Sequence, residues 1–201
     1  MAIAPAMRND FPELEEVSQV WYQESGLVTV NQKKINEKRY AFADDYFTSL
    51  FDYTWLEGNY KTTLSAPNTI VLIKSLAHKY FGTRQAMNQI IHLDNEQDVK
   101  VTGVIKDLPG NTHPPFNFLV SFETIRKRRE EKGAMSTLYW ISNGSFCYIV
   151  TPNKLPANIA CGTDVPYKLN SFQKRSQWIH QVAGSGRQHF IPGAWTGMKI
   201  R

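Results

Sequence analysis

The sequence predicts an α+β fold of mixed sheets and short helices. Three observations predict it. Short β-rich runs alternate with short helical ones between Asp10 and Phe122, turn-forming residues separate them, and no apolar run is long. The longest are Ile70 to Ile73 and Phe146 to Val150, against the roughly 20 residues of a bilayer-spanning helix. A chain of 201 residues makes one domain or two small ones. It buries about 70% of its unfolded surface and needs no disulfide or metal staple.

Taken in order, Asp10 and Pro12 suit a helix start, and Leu14, Val17, Val20 and Trp21 recur at helical spacing until Gly26. Leu27 to Val30 and Arg39 to Phe42 read as strands. Asp45 to Phe51 reads as a helix with Tyr46, Phe47, Leu50 and Phe51 on one face. Thr69 to Ile73 is an apolar strand. Ser75 to Phe81 is a two-turn helix with Leu76, Ala77, Tyr80 and Phe81 inward and Gly82 at its end. Ile73 stands just before that helix, so its start lacks a capping side chain unless Ser75 supplies one, a loss of about 1 kcal/mol. The next strands, Ile90 to Leu93 and Val99 to Ile105, are joined by the tight turn Asp94-Asn95-Glu96. A strand, helix, strand unit is expected between Thr69 and Leu93.

Gly103 interrupts the β-branched surface of Val99, Val101, Val104 and Ile105, which marks a bulge or a close backbone approach. Asp107, Pro109, Gly110 and Asn111 end that strand by turn chemistry. Phe116, Phe118, Val120 and Phe122 then alternate with Asn117, Leu119 and Ser121, so one face is nearly all aromatic. That stripe, like the one formed by Tyr46, Phe47 and Phe51, reads as core. From Thr151 onward Pro152, Pro156, Pro166, Gly184, Gly186 and Pro192 punctuate a region without a long periodic element.

Charge is uneven. Residues 1–100 hold 10 Lys/Arg against 13 Asp/Glu, and residues 101–201 hold 13 against 5, or −3 and +8. The densest run, Arg126-Lys127-Arg128-Arg129-Glu130-Glu131-Lys132, falls where a helix after Phe122 ends near Gly133, and basic residues there favour the helix dipole. It reads as a solvated helix face. An anionic-headgroup contact or an RNA patch is the rarer reading, and no zinc-finger spacing or aromatic RNA-binding pattern accompanies it.

Reactive constellations do not assemble. The histidines, His78, His92, His113, His180 and His189, show no pair at helical metal-site spacing, and His113 reads as a turn residue. Cys147 and Cys161 could pair in an oxidising compartment, while a buried free thiol at Cys147 is the commoner reading. Gly184-Ser185-Gly186-Arg187 lacks the strand and the Lys-Ser/Thr of a phosphate loop, and Gly144-Ser145-Phe146 lacks the second glycine of a nucleophile elbow. Glu15-Glu16 and Asp44-Asp45 are adjacent and do not face each other as an acid and base pair. No catalytic, cofactor-binding or metal residue is assigned, and the partner-binding residues stay unassigned.

The run Val99 to Phe122 resembles the signature of the MacB-like periplasmic domain found in FtsX-type ABC transporter permeases. Asp44-Asp45-Tyr46-Phe47, Phe51-Asp52-Tyr53 and Leu56-Glu57-Gly58 resemble a further block of that family. So do Ala66 to Leu72, Ser75-Leu76-Ala77, Lys79-Tyr80-Phe81-Gly82 and Phe11 to Val17. The likeness covers roughly Phe11 to Phe122, with Trp140 to Val150 a weaker extension. Ala86-Met87-Asn88-Gln89 departs from the family's proline-containing turn, and Asn88 is the residue able to keep its left-handed backbone.

The resemblance implies a two-lobed extracytoplasmic domain over residues 1–201, with a family-like core over about 1–122 and a less certain 123–201. It implies a non-enzymatic role in partner or cargo engagement and in mechanical coupling. ATP would bind a separate cytoplasmic subunit, and this chain would carry no cofactor. Implied partners are that ATPase, a second permease copy, and a periplasmic adaptor, lipoprotein or outer-membrane channel, with no nucleic acid. The resemblance also implies attachment to the inner membrane through flanking helices outside this sequence; Met1 to Met7 carry no signal-peptide pattern, so export is not expected to be encoded in these residues. The alternative is a free-standing periplasmic lipid- or peptide-binding module, which requires a deep apolar pocket.

Overall fold

Val17, Val20 and Trp21, which their helical spacing with Leu14 assigns to a helix, lie instead in one long strand, β1 (Glu16–Val30). In this computed structural model residues 16–110, 112, 115–131 and 145–150 are described, with residues 4, 8, 9, 12 and 14 ahead of them. Three-residue steps fit a strand locally as well as a helix. The segment is rich in Val, Thr, Trp and Tyr, and pairing along both edges settles it. One edge pairs antiparallel with β2 (Lys33–Ala43), from Val20 opposite Ala43 to Val30 opposite Lys33. The other pairs with β8 (Ser145–Val150) over Glu16 to Trp21, and with β5 (Ile90–Leu93) at Val28 and Thr29.

Gly26 therefore ends nothing. A Cβ there would lie 2.7 Å from Tyr40 Cε1, so the strand passes beneath that ring. Asp94 joins the same place: its Oδ1 accepts the Leu27 N–H at 2.8 Å, its Oδ2 accepts the Tyr40 hydroxyl at 3.2 Å, and its own N–H donates to the Leu27 carbonyl at 2.7 Å.

The remaining elements are α1 (Phe47–Leu50), β3 (Trp55–Glu57), β4 (Thr69–Ile73), α2 (Lys74–Phe81), β6 (Gln97–Ile105), β7 (Phe118–Ser121) and α3 (Phe122–Glu131). Strand order is β2-β7-β4-β6-β5-β1-β8, with β3 on β6. Because β2 also pairs with β1, six strands form a closed circuit. Parallel β2–β7 and β4–β6 pairs make the sheet mixed, as the sequence predicts. The strand, helix, strand unit is present with a different partner: β4 lies parallel to β6, while β5 is the antiparallel neighbour on the other edge of β6. The hairpin loop is Asp94-Asn95-Glu96; Asp94 and Asn95 both have positive φ, and the Glu96 N–H closes the turn on the Leu93 carbonyl at 3.1 Å.

Every strand of the circuit contributes to one apolar cluster, which includes Val28, Phe42, Leu72, Ile91, Val101 and Val120. Tyr40 stacks on Phe118 inside it, with ring centroids 4.7 Å apart. Leu76, Ala77, Tyr80 and Phe81 of α2 join the cluster, as expected from their spacing, and α3 adds Phe122 and Ile125. On the opposite face Ala41, Val71, Ile105 and Leu119 meet Phe47, Leu50, Phe51 and Tyr53. Two aromatic assignments change here. Phe116, ahead of β7, joins this second cluster and not the face of Phe118, because the chain is not yet in register as a strand. Tyr46 precedes the single turn of α1 and stays 41% exposed.

Helix α2 begins at Ile73 without a side-chain cap of its own. Asp107 supplies the acceptor from the turn after β6, its Oδ1 taking the Ser75 N–H at 2.8 Å, a bond of the kind that contributes about 1 kcal/mol. The helix ends on Gly82 (φ 64°), and Asn88 (φ 64°) keeps the left-handed turn its residue type permits.

Gly103 is where β6 bulges. Ile70 pairs with Val101 and Val71 with Gly103, leaving Thr102 as the extra residue. Thr102 Oγ1 donates to the Thr63 carbonyl at 2.7 Å. A Cβ on Gly103 would sit 2.7 Å from Trp55 Cζ3, and one on Gly58 (φ +88°) would sit 2.5 Å from the Thr102 carbonyl oxygen. Two backbones meet here without room for a methyl group. Gly58→Ala should therefore lower stability by more than Gly82→Ala in urea unfolding. Gly82 has positive φ but open space around it, so its substitution carries only the conformational cost of about 1–3 kcal/mol.

Candidate functional site

Ahead of β1, Arg8 reaches the ends of β1 and β2. Its Nε donates to the Val17 carbonyl at 2.9 Å and its terminal nitrogen to Asp44 Oδ2 at 2.5 Å. Asp44 is held independently of Arg8. Its Oδ1 accepts the Ser18 hydroxyl at 2.6 Å, its Oδ2 accepts the Gln19 N–H at 3.0 Å, and its own N–H donates to the Gln19 carbonyl at 3.1 Å. Burial raises the Asp44 pKa, opposed by the Ser18, Arg8 and Gln19 contacts. The Arg8 guanidinium also lies 4.0 Å from the centre of the Tyr46 ring, a cation–π contact that explains why Tyr46 is outside the core.

Beside this node a shallow pocket of about 290 Å³ is lined by Glu16, Asp45, Tyr46, Ser49, Tyr60 and Lys61. The Ser49 hydroxyl donates to Glu16 Oε2 at 3.2 Å. The lining mixes charged and hydroxyl groups with two tyrosine rings.

Of the five histidines that the sequence offers, His78 and His92 fall among the described residues. His78 Nδ1 lies 3.1 Å from the Gly82 carbonyl oxygen at the end of α2. His92 stands opposite Asp98 across the β5–β6 hairpin, Nδ1 to Oδ1 2.7 Å, both at the surface. No three His, Cys, Asp or Glu side chains among the described residues gather as metal ligands. In the basic run Arg126 pairs with Glu123 of the same helix and Arg128 with Glu96 of the β5–β6 turn, so an exposed helix face is tied to the sheet by the second of these ion pairs. Glu37, in β2, is paired with Lys79 of α2. His113, His180, His189, Cys161, Gly144 and the Gly184 to Arg187 segment lie outside the described residues.

Sequence reasoning missed the Arg8–Asp44 node. Its only local signal is an aspartate directly after an apolar strand, and the arginine lies 36 residues away. Next to the node, burial pushes the Cys147 thiol up from 9.0 to about 12, Asp44 adding to the rise. A raised thiol pKa contributes stability that is complete below the unfolded value and is lost as pH rises from about 9 toward 12. In a Cys161→Ser background, Cys147 should react with a disulfide reagent at pH 8 about 100-fold more slowly than in urea. Urea midpoints should fall between pH 9 and 11. Equal rates in the folded and unfolded chain would contradict the protected thiol.

A family model described as the MacB-like periplasmic core domain matches residues 1–152. No curated protein matches the chain. Among solved structures, a domain of a putative permease protein from Porphyromonas gingivalis is similar with a TM-score of 0.65 at 18% identity, over 87% of this chain and 70% of that one. The periplasmic region of MacB from Actinobacillus actinomycetemcomitans gives 0.62 at 14%, over 85% and 72%. The extracellular domain of the ABC-type transporter YknZ from Gram-positive bacteria gives 0.58 at 12%, over 98% and 86%. These likenesses establish a shared α+β fold. The family match reaches past the Phe122 limit of the clearest sequence resemblance and takes in β8. With more than half of its 201 residues matched, this chain belongs to the MacB-like periplasmic core domain family, the extracytoplasmic domains of MacB- and FtsX-like ABC transporter permeases.

Proposed function

We propose that the chain is the extracytoplasmic domain of an ABC transporter permease, engaging a partner or cargo and coupling mechanically to ATP hydrolysis in the cytoplasm. The family match over residues 1–152 carries this reading. Its physical support is the closed circuit of six strands, packed on both faces, which suits a body that transmits displacement without deforming. Bond chemistry has no place in the proposal. The family is one of transporter domains, and the chain's own role is to bind and to move, without a cofactor.

On this reading the partners are a cytoplasmic ATPase, a second permease copy, and a periplasmic adaptor, lipoprotein or outer-membrane channel. Nucleic acid is not among them, and the basic helix face serves the surface of α3. Residues 1–201 act as one domain outside the inner membrane, joined to it by flanking helices of the complete permease. Among the described residues no helix is long and apolar enough to cross a membrane. The alternative binding module needs a deep apolar cavity, whereas the circuit is filled by side chains such as Phe118, Leu72 and Ile91.

The test uses the complete permease with its ATPase in proteoliposomes. A cysteine pair that cross-links this domain to its partner copy should abolish transport while ATP hydrolysis continues, with recovery on reduction. Transport that proceeds at an undiminished rate under full cross-linking would overturn the coupling role.

A further inference from the structure

We propose that Asp44, Ser18, the Val17 carbonyl and the Tyr46 ring form a guanidinium-binding seat that straps the segment carrying Arg8 onto the sheet. The seat is set without the arginine, since the Ser18 hydroxyl and Gln19 N–H already fix both oxygens of Asp44. What it presents is matched to a flat, multiply donating cation: a carboxylate oxygen, a backbone carbonyl and an aromatic face. A lysine ammonium has neither the plane to lie on Tyr46 nor the fork to reach Val17 and Asp44 together.

Among the described residues, the apolar packing of this segment is one small cluster in which the fully buried Ala4 meets Val17, with Leu14, Cys147 and Ile149 beside them. The Ala4 backbone N–H reaches Gln19 Oε1 only at 3.4 Å. The Arg8 side chain keeps 29% of its surface exposed, against 14% for Asp44. The arginine can thus leave without opening the core, while the carboxylate stays behind. The inference does not depend on the transporter reading, because it concerns one cation and one seat within this chain.

Amide hydrogen exchange on the full chain tests it. In Arg8→Ala, exchange at residues 4–9 should rise roughly 10- to 100-fold, the loss expected for charge-assisted hydrogen bonds. Unchanged exchange in β4 and β6 reports that the variant folds. By occupying the seat, millimolar N-ethylguanidinium should slow exchange at the Gln19 amide of Arg8→Ala further, and ethylammonium should not. Arg8→Lys should behave as Arg8→Ala. In Asp44→Asn the strap should release as in Arg8→Ala, without rescue by N-ethylguanidinium. Unchanged exchange at residues 4–9 in Arg8→Ala would mean that packing holds the strap, and rescue by both cations alike would mean a simple charge pair. Either result overturns the seat.

Discussion

Asp94 sits in the β5–β6 turn with positive φ, and its carboxylate spans the Leu27 N–H of β1 and the Tyr40 hydroxyl of β2, so one side chain ties together three parts of the sheet. The contact exists because Gly26 lets the Tyr40 ring lie across β1. Burial, and then the Asp94 charge, raise the Tyr40 pKa, so the phenol keeps the proton it donates. From this closure follows the circuit of strands, and from the circuit follows a core to which all six contribute. Helix α3 is tied to the same turn through Arg128 and Glu96. Without the closure, the same six strands would be an open sheet in the order β1-β2-β7-β4-β6-β5, with β1 and β5 as its two ends.

Much of this architecture is written locally in the sequence. Gly103 announces the bulge because only a residue without a side chain fits against Trp55 and Thr63. Asn88, Asp94 and Gly82 announce turns because their residue types tolerate positive φ. The inward face of α2 follows from four apolar positions at helical spacing. What is not legible depends on distant partners. Val17 and Val20 fit either period until β2 and β8 are known to flank them. Asp107 caps α2 from 32 residues away. Asp44 meets Arg8 through a fold that no local pattern encodes. The Phe116 assignment fails for a smaller reason, since alternation holds only inside a strand and β7 begins at Phe118.

The seat for Arg8 is equally invisible in sequence, where Asp44-Asp45 reads only as an adjacent acidic pair. In the fold the two separate: Asp44 turns toward Ser18 and Gln19, and Asp45 lines the shallow pocket beside Tyr46.

The claim that this body is a single closed unit is tested most directly by native-state hydrogen exchange on the chain under increasing sub-denaturing urea. The account predicts that the hydrogen-bonded amides of β1, β2, β4, β5, β6 and β7 converge on one opening whose free energy and urea dependence equal those of global unfolding. A separate, lower-energy opening that frees β1 from β5 while β4 and β6 remain protected would show that the circuit is not closed in solution, and would contradict it.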